Sequence, residues 1–190
     1  MTILMTVPTL KKMEPVKMKT LYLSDLDGTL IRSDERISAY TAETINRFVR
    51  GGGCFSYATA RSIVTASKVT AGLNAEFPVI CYNGAFIFKN GTNEILLSNF
   101  FSKKEIEFAT EIFISQNFHP IVYAFKDGQE CFSYIERCVT PAMRHFLDCR
   151  IGDPRRREVD NIDELYNGDV FYFACMDTEI TLSPINEIFK

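Results

Sequence analysis

The chain has 190 residues, enough to bury a substantial core and suited to one domain or one and a half rather than two full ones. Its 46% hydrophobic and 24% charged residues are ordinary for a globular protein, which sets disorder aside. A net charge of −3 and a pI of about 5.5 give no global basic field, so the sequence argues against nucleic acid and an anionic membrane as partners, and any phosphate must be held by local groups.

Residues 1–17, "MTILMTVPTLKKMEPVK", lack the basic start and unbroken apolar stretch of a signal, and nothing later approaches a membrane-spanning run. They read as an N-terminal extension ahead of Met18. "KTLYLS" from Lys19 is short, apolar and β-prone, as expected of a buried strand. Residues 37–50 place Ile37, Tyr40, Thr44, Ile45, Phe48 and Val49 near one helical face, with Ser38 as cap and Gly51 to Gly53 as stop. "CFSYATA" gives a second strand, "SIVTASKVTAGL" a second helix and "FPVICY" a third strand, an alternation that implies a parallel sheet with helical crossovers. After "YNGA" the rhythm changes. Asn90-Gly91 signals one hairpin and Asp127-Gly128 another, with an amphipathic helix, "SKKEIEFATEIFISQN", between them. "TPAMRHFLDCR" reads as a further helix and "DVFYFACM" as a further strand. The expected organisation is an α/β protein with a partial Rossmann-like core over 18–84 and a separate α+β layer over 85–190.

The six cysteines, Cys54, Cys81, Cys131, Cys138, Cys149 and Cys175, are widely spaced with no C-x-x-C pair, so reduced thiols and a cytoplasmic location are expected. His119 and His145 are isolated and read as polar packing or surface residues, the basic run Arg155 to Arg157 as a solvated loop, and Phe108, Ile112 and Phe113 as core.

"DLDGTL" poses the chemical question. Asp25 and Asp27 close an apolar strand, where two like charges each raise the other's pKa unless a cation lies near, and a divalent ion suits that need. In an open parallel sheet, ligands bind beyond the carboxyl ends of the strands. Asp25 and Asp27 end the first strand, Thr59 and Arg61 ("ATAR") the second, and Asn83-Gly84 the third. Each stretch alone is common turn material, but together they converge on one edge. Phosphoryl transfer fits: one carboxylate attacks phosphorus, the other moves the proton, and Thr59 with backbone N–H groups near Gly28 holds phosphoryl oxygens.

"DLDGTL", "ATAR" and "YNGA", in that order, resemble the haloacid dehalogenase superfamily, in particular its Cof-type branch of small-molecule phosphatases with a large α/β cap, over roughly residues 19–190. The resemblance implies an Mg²⁺-dependent phosphatase of small phosphorylated metabolites, working through an aspartyl-phosphate. Asp25 would be nucleophile and metal ligand, and Asp27 general acid/base with its backbone carbonyl on the metal. Thr59 would bind phosphate, with Gly28, Arg61 and Asn83 nearby, and Ala60 stands where the family usually has glycine. The family's third-motif lysine and its GD-x-x-ND motif have no match: Gly152-Asp153 lacks the paired acid, Asp169 leads into a strand, and Lys190 is the last residue. The expectation is a chain that stops within its cap, with weak Mg²⁺ binding and little or no turnover. The alternative is a catalytically inactive relative that serves as a binding or interaction protein. A receiver-like signalling domain ranks third, because no large cap is expected there. With two core strands missing, "TLYLS" would become a sheet edge, open to self-association or to pairing with residues 1–17.

Overall fold

The computed structural model describes residues 20–74 and 77–189, so the N-terminal extension lies outside the described residues. The expected alternation is present. β1 (Leu21–Asp25) runs parallel to β2 (Cys54–Ala58), with Leu21 opposite Cys54 and Asp25 opposite Ala58, and β2 runs parallel to β3 (Val79–Cys81). The crossovers carry α1 (Ala39–Arg50) and α2 (Ile63–Val69), each opened by a serine. The Ser38 hydroxyl accepts the Thr41 N–H and the Ser62 hydroxyl accepts the Thr65 N–H, each satisfying a donor that the helix start leaves free.

The first hairpin departs from expectation. β4 (Phe86–Lys89) and β5 (Glu94–Ser98) turn at Asn90-Gly91 as read, yet β4 pairs antiparallel with β3, giving one sheet in the order β1-β2-β3-β4-β5. Pattern and turn chemistry specify a hairpin but not the edge it joins. Here the short turn Tyr82–Gly84 returns the chain directly alongside β3. β1 occupies the opposite edge and is not the buried strand expected: Leu21, Tyr22 and Leu23 are about half exposed, because one flank has no neighbour among the described residues. The helical face assigned to α1 is likewise incomplete. Val49 is buried, whereas Tyr40 is 80% exposed and Phe48 rests edge-on against Tyr22.

Beyond Ser98, α3 (Lys103–Ser115) starts with a capping box in which Ser102 and Glu105 exchange hydrogen bonds. A second sheet follows in the order β8-β7-β6-β9, from β6 (Ile121–Lys126), β7 (Gln129–Tyr134), β8 (Arg156–Glu158) and β9 (Asp169–Ala174). Thr140 caps α4 (Pro141–Asp148), whose first helical residue is a proline; α5 (Ile162–Leu165) and α6 (Glu179–Ile188) complete the layer. Neither β8 nor α6 was read from the sequence. Among the described residues, no helix is long and apolar enough to cross a membrane.

Period-two alternation divides the second sheet. Val122 and Ala124 face Leu165 and Val170, while Ile121 and Tyr123 belong to a cluster that also holds Tyr57, Val79, Cys81 and Phe86 of the first sheet. The two sheets therefore share one core, contrary to a fully separate layer. On the outer side, Ala109 and Phe113 of α3 pack with Phe118 and Ile185, whereas Phe108, expected in the core, is 56% exposed and meets Phe189 edge-on. Phe86 is fully buried, with ring centroids 4.8 Å from Phe171 and 5.6 Å from Phe125, so it ties the first sheet to the second. Phe86→Ala should cost about 3–5 kcal/mol through lost transfer energy and the cavity left behind. Urea unfolding measures it, and a loss below about 1 kcal/mol would show that the junction does not depend on this ring.

Candidate active site

The loop after β1 is built around Leu26. This side chain is fully buried, and its carbonyl accepts the N–H groups of Thr29, Leu30 and Ile31 at 3.2, 3.0 and 2.8 Å. Sinking Leu26 into the core leaves Asp25 and Asp27 on the exposed side. Gly28 follows at φ +75°, a left-handed conformation in which any side chain is strained, although nothing lies within 4 Å of where a Cβ would sit.

The end of β2 supplies the second group. The Thr59 N–H donates to the Ile80 carbonyl at 2.9 Å, and the buried Thr59 hydroxyl oxygen accepts the Arg61 N–H at 3.1 Å, leaving its own proton to give. The Arg61 guanidinium forks onto Asp27, with Nε 2.9 Å from Oδ2 and Nη2 2.7 Å from Oδ1. That bidentate hydrogen bond holds the Asp27 carboxyl below its ordinary range despite some burial. At rest, Asp27 is a carboxylate.

The third group is a strained turn. Tyr82, Asn83 and Gly84 have φ of 52°, 54° and 99°, three left-handed residues in succession, costly for a tyrosine and mild for asparagine and glycine. The turn is pinned from both sides. The Asn83 N–H donates to the Thr59 carbonyl at 3.1 Å and the Tyr82 N–H to the Arg61 carbonyl at 3.2 Å. From the second sheet, Tyr172 Oη accepts the Asn83 amide at 3.3 Å, and the Tyr82 hydroxyl donates to Glu130. Burial and the Glu130 charge push the Tyr82 hydroxyl's pKa far upward, so it stays a donor. Glu130 also takes Arg155 Nη1 at 2.6 Å, and Arg155 forks onto Asp153, with Nη2 2.7 Å from Oδ2. Arg155 is thus no solvated loop residue: its side chain is 14% exposed and paired on both sides, while Arg156 donates to the Tyr134 hydroxyl at 2.8 Å within β8. Local sequence carries no signal for the whole network, since Glu130 on β7 lies far along the chain from Asp153 and Arg155. Of the two histidines, His145 lies 3.9 Å from the Cys149 sulfur on α4, and burial lowers the pKa of His119.

Asp25, Thr59, Ile80, Asn83 and Gly84 line a cavity of about 300 Å³ beyond the ends of the parallel strands. Asp27 and Arg61 line a neighbouring cavity of about 380 Å³ with Tyr82, Tyr123, Arg150 and Tyr172. Ala60 is the residue the two have in common. The expected site residues thus divide between adjacent cavities, and Gly28 lines neither. For a metal, the available donors are hard oxygens, the Asp25 carboxylate and the Asp27 carbonyl. Asp27 has its carboxylate committed to Arg61, and no three acidic, histidine or cysteine side chains cluster as a metal site among the described residues. Such a set suits Mg²⁺ in kind and leaves most of its octahedral shell to water. All six cysteines are unbridged.

Two sheets, capped crossover helices and acids at a strand end define an α/β protein with a parallel-strand edge open to a ligand. Residues 22–170 match the haloacid dehalogenase-like hydrolases, and the chain belongs to this family. It is 35% identical over 63 residues to the 5-amino-6-(5-phospho-D-ribitylamino)uracil phosphatase YitU of Bacillus subtilis, a stretch covering 33% of this chain and 23% of that protein. A haloacid dehalogenase-like hydrolase structure from B. subtilis superposes with a TM-score of 0.66 at 19% identity, over 90% of this chain and 66% of that one. A subclass IIB sugar phosphatase of the superfamily gives 0.60 at 20% identity, over 80% of this chain and 56% of that one. The chain therefore spans less than two thirds of the length of these relatives.

The Glu130–Arg155–Asp153 network generates a pH-dependent prediction. The Arg155 hydrogen bond lowers the pKa of Asp153 in the folded state, so its stabilisation is present above the unfolded value of about 4 and is lost as pH falls through the lower folded value. Arg155→Met leaves two largely buried carboxylates without their cation and should cost about 3–5 kcal/mol at neutral pH. The penalty should shrink as pH falls toward the range where the Asp153 carboxylate, no longer held down by Arg155, protonates. Urea unfolding at neutral and at acidic pH checks this, and an equal loss at each would contradict it.

Proposed function

We propose that the site carries out Mg²⁺-dependent hydrolysis of small phosphorylated metabolites through an aspartyl-phosphate on Asp25. The observation carrying this reading is the convergence of Asp25, Thr59 and Asn83 on one cavity at the ends of parallel strands, with the Asp27–Arg61 pair in the cavity beside it. Asp25 Oδ attacks phosphorus, the ester P–O bond breaks, and the leaving oxygen takes a proton from Asp27. Asp27 then takes a proton from water as that water attacks phosphorus, releasing inorganic phosphate and restoring Asp25. The Thr59 hydroxyl donates to a phosphoryl oxygen and Asn83 orients the group. Arg61 holds Asp27 ionised at rest. Its transfer from that carboxylate to an incoming phosphate frees Asp27 to be protonated for the first half-reaction. Mg²⁺, when held by the Asp25 carboxylate and the Asp27 carbonyl, offsets repulsion between carboxylate and phosphate. The second sheet with its helices serves as the cap over this edge. The six unbridged thiols support a cytoplasmic location.

With so few protein donors, Mg²⁺ binding by the 190-residue chain should be weak and turnover slow. Calorimetry should find no tight Mg²⁺ site. Beryllofluoride, which mimics the phosphoryl group on an aspartate, gives a fluorine NMR signal that does not require turnover. Asp25→Asn should abolish that signal and any phosphate release, and Asp27→Asn should slow release by about 10²–10⁴-fold. Undiminished release by Asp25→Asn overturns the assignment.

The half-exposed β1 edge supports self-association as a second part of this reading. Leu21, Tyr22 and Leu23 present apolar surface without charge or proline, next to strand N–H and C=O groups open to a second copy. Light scattering across a dilution series should show a concentration-dependent dimer, with and without residues 1–17. A monomer at all concentrations in both forms rejects it.

A further inference from the structure

A third cavity, of about 650 Å³, opens between α2 and the segment Cys149 to Arg155. It has Glu35, Arg61, Thr65, Arg150 and Arg155 in common with the cavity at Asp27, so the two are contiguous. Its cations differ in how they are compensated. Arg61 is paired with Asp27, and Arg155 with Glu130 and Asp153. Arg150 and Lys68 form no ion pair among the described residues.

Arg150 is nonetheless fixed in place. Its guanidinium carbon lies 3.6 Å from the centroid of the Phe146 ring, and Nη1 donates to the Phe146 carbonyl at 3.1 Å. A half-buried guanidinium held by an aromatic face and a backbone carbonyl keeps its remaining N–H donors for another group, although its charge also acts on the nearby Asp153 carboxylate. Lys68, exposed on α2, lines the same cavity and adds a second positive charge. Formal charges around the two contiguous cavities balance, because Arg155 faces two carboxylates and Glu35 forms no ion pair among the described residues; what distinguishes Arg150 is local, N–H donors that no carboxylate occupies.

Resting on the phosphatase reading of the Asp25 site, we infer that the substrate carries a second anionic group, phosphate or carboxylate, and that Arg150 binds it with assistance from Lys68. The transferred phosphate sits at Asp25 and Thr59, the leaving group passes Asp27 and Arg61, and its far end reaches the cleft between α2 and the Cys149 to Arg155 segment. Arg150 is then a specificity determinant and takes no part in the chemical step.

The 190-residue chain can be titrated calorimetrically, at constant ionic strength, with glycerol 3-phosphate, 3-phosphoglycerate and fructose 1,6-bisphosphate. These offer one phosphate, a phosphate with a carboxylate, and two phosphates. At least one doubly anionic ligand should bind about tenfold or more tightly than glycerol 3-phosphate, the value of one charge-assisted contact. Whichever of the two gains more identifies the group preferred. In Arg150→Ala, checked for folding by circular dichroism, that preference should disappear. In Lys68→Ala, an exposed position that folding does not depend on, it should fall by a smaller factor. Equal affinity for all three ligands, or a preference intact in both variants, overturns the inference. The readout is binding: a beryllofluoride signal undiminished in Asp25→Asn counts against the phosphatase reading alone, and absence of the preference with an Asp25-dependent signal retained counts against the second-anion site alone.

Discussion

The structure depends on the aromatic junction between its two sheets. Phe86 and Tyr82, at the point where the chain leaves β3, pack edge-on against Phe171 of β9 at centroid distances of 4.8 and 4.9 Å, and Tyr123 of β6 closes on Tyr82 at 5.7 Å. Offset and edge-on contacts of this kind add to the large apolar area that each ring removes from water. Because these rings interlock, the second sheet cannot shift over the first without opening the core. The cavity at Asp27 lies at this junction, with Tyr82, Tyr123 and Tyr172 in its wall.

That dependence explains where polar groups are tolerated. The Tyr82 hydroxyl emerges from the aromatic cluster and must be satisfied, and Glu130 accepts its proton from the second sheet. A buried carboxylate in turn demands a cation, which Arg155 supplies, and Asp153 completes the pairing. The chain of partners running from a strained tyrosine in the core to Arg155 beside the second sheet registers one layer on the other. Hydrophobic contacts alone, being non-directional, do not impose such a register.

The same logic separates resting from reactive electrostatics. Asp27 and Arg61 satisfy one another in the absence of phosphate, which keeps two exposed charges from costing stability while contributing little themselves. An incoming phosphate competes for the arginine. In the proposed reaction the pair would act as a reversible clamp that opens when phosphate arrives. Arg150, stacked on Phe146, forms no ion pair among the described residues.

Much of this was legible in the residues. "DLDGTL" at the end of an apolar run, serines ahead of α1 and α2, the capping pair Ser102 and Glu105, and Asn-Gly and Asp-Gly turns are local signals whose geometry is set by neighbours a few residues away. The convergence of Asp25, Thr59 and Asn83 was also legible, because parallel strands place their carboxyl ends on one edge. What the sequence could not specify depends on distant partners. The edge joined by β4 and β5 was set by the return path through Tyr82–Gly84, the exposure of β1 by its edge position, and the burial of Arg155 by its packing against Glu130 on β7. A run of three arginines has the same composition whether it meets water or acids. Only the fold, by bringing Glu130 and Asp153 to one of them, Phe146 to Arg150 and Asp27 to Arg61, decided which charges were compensated and which were left to act.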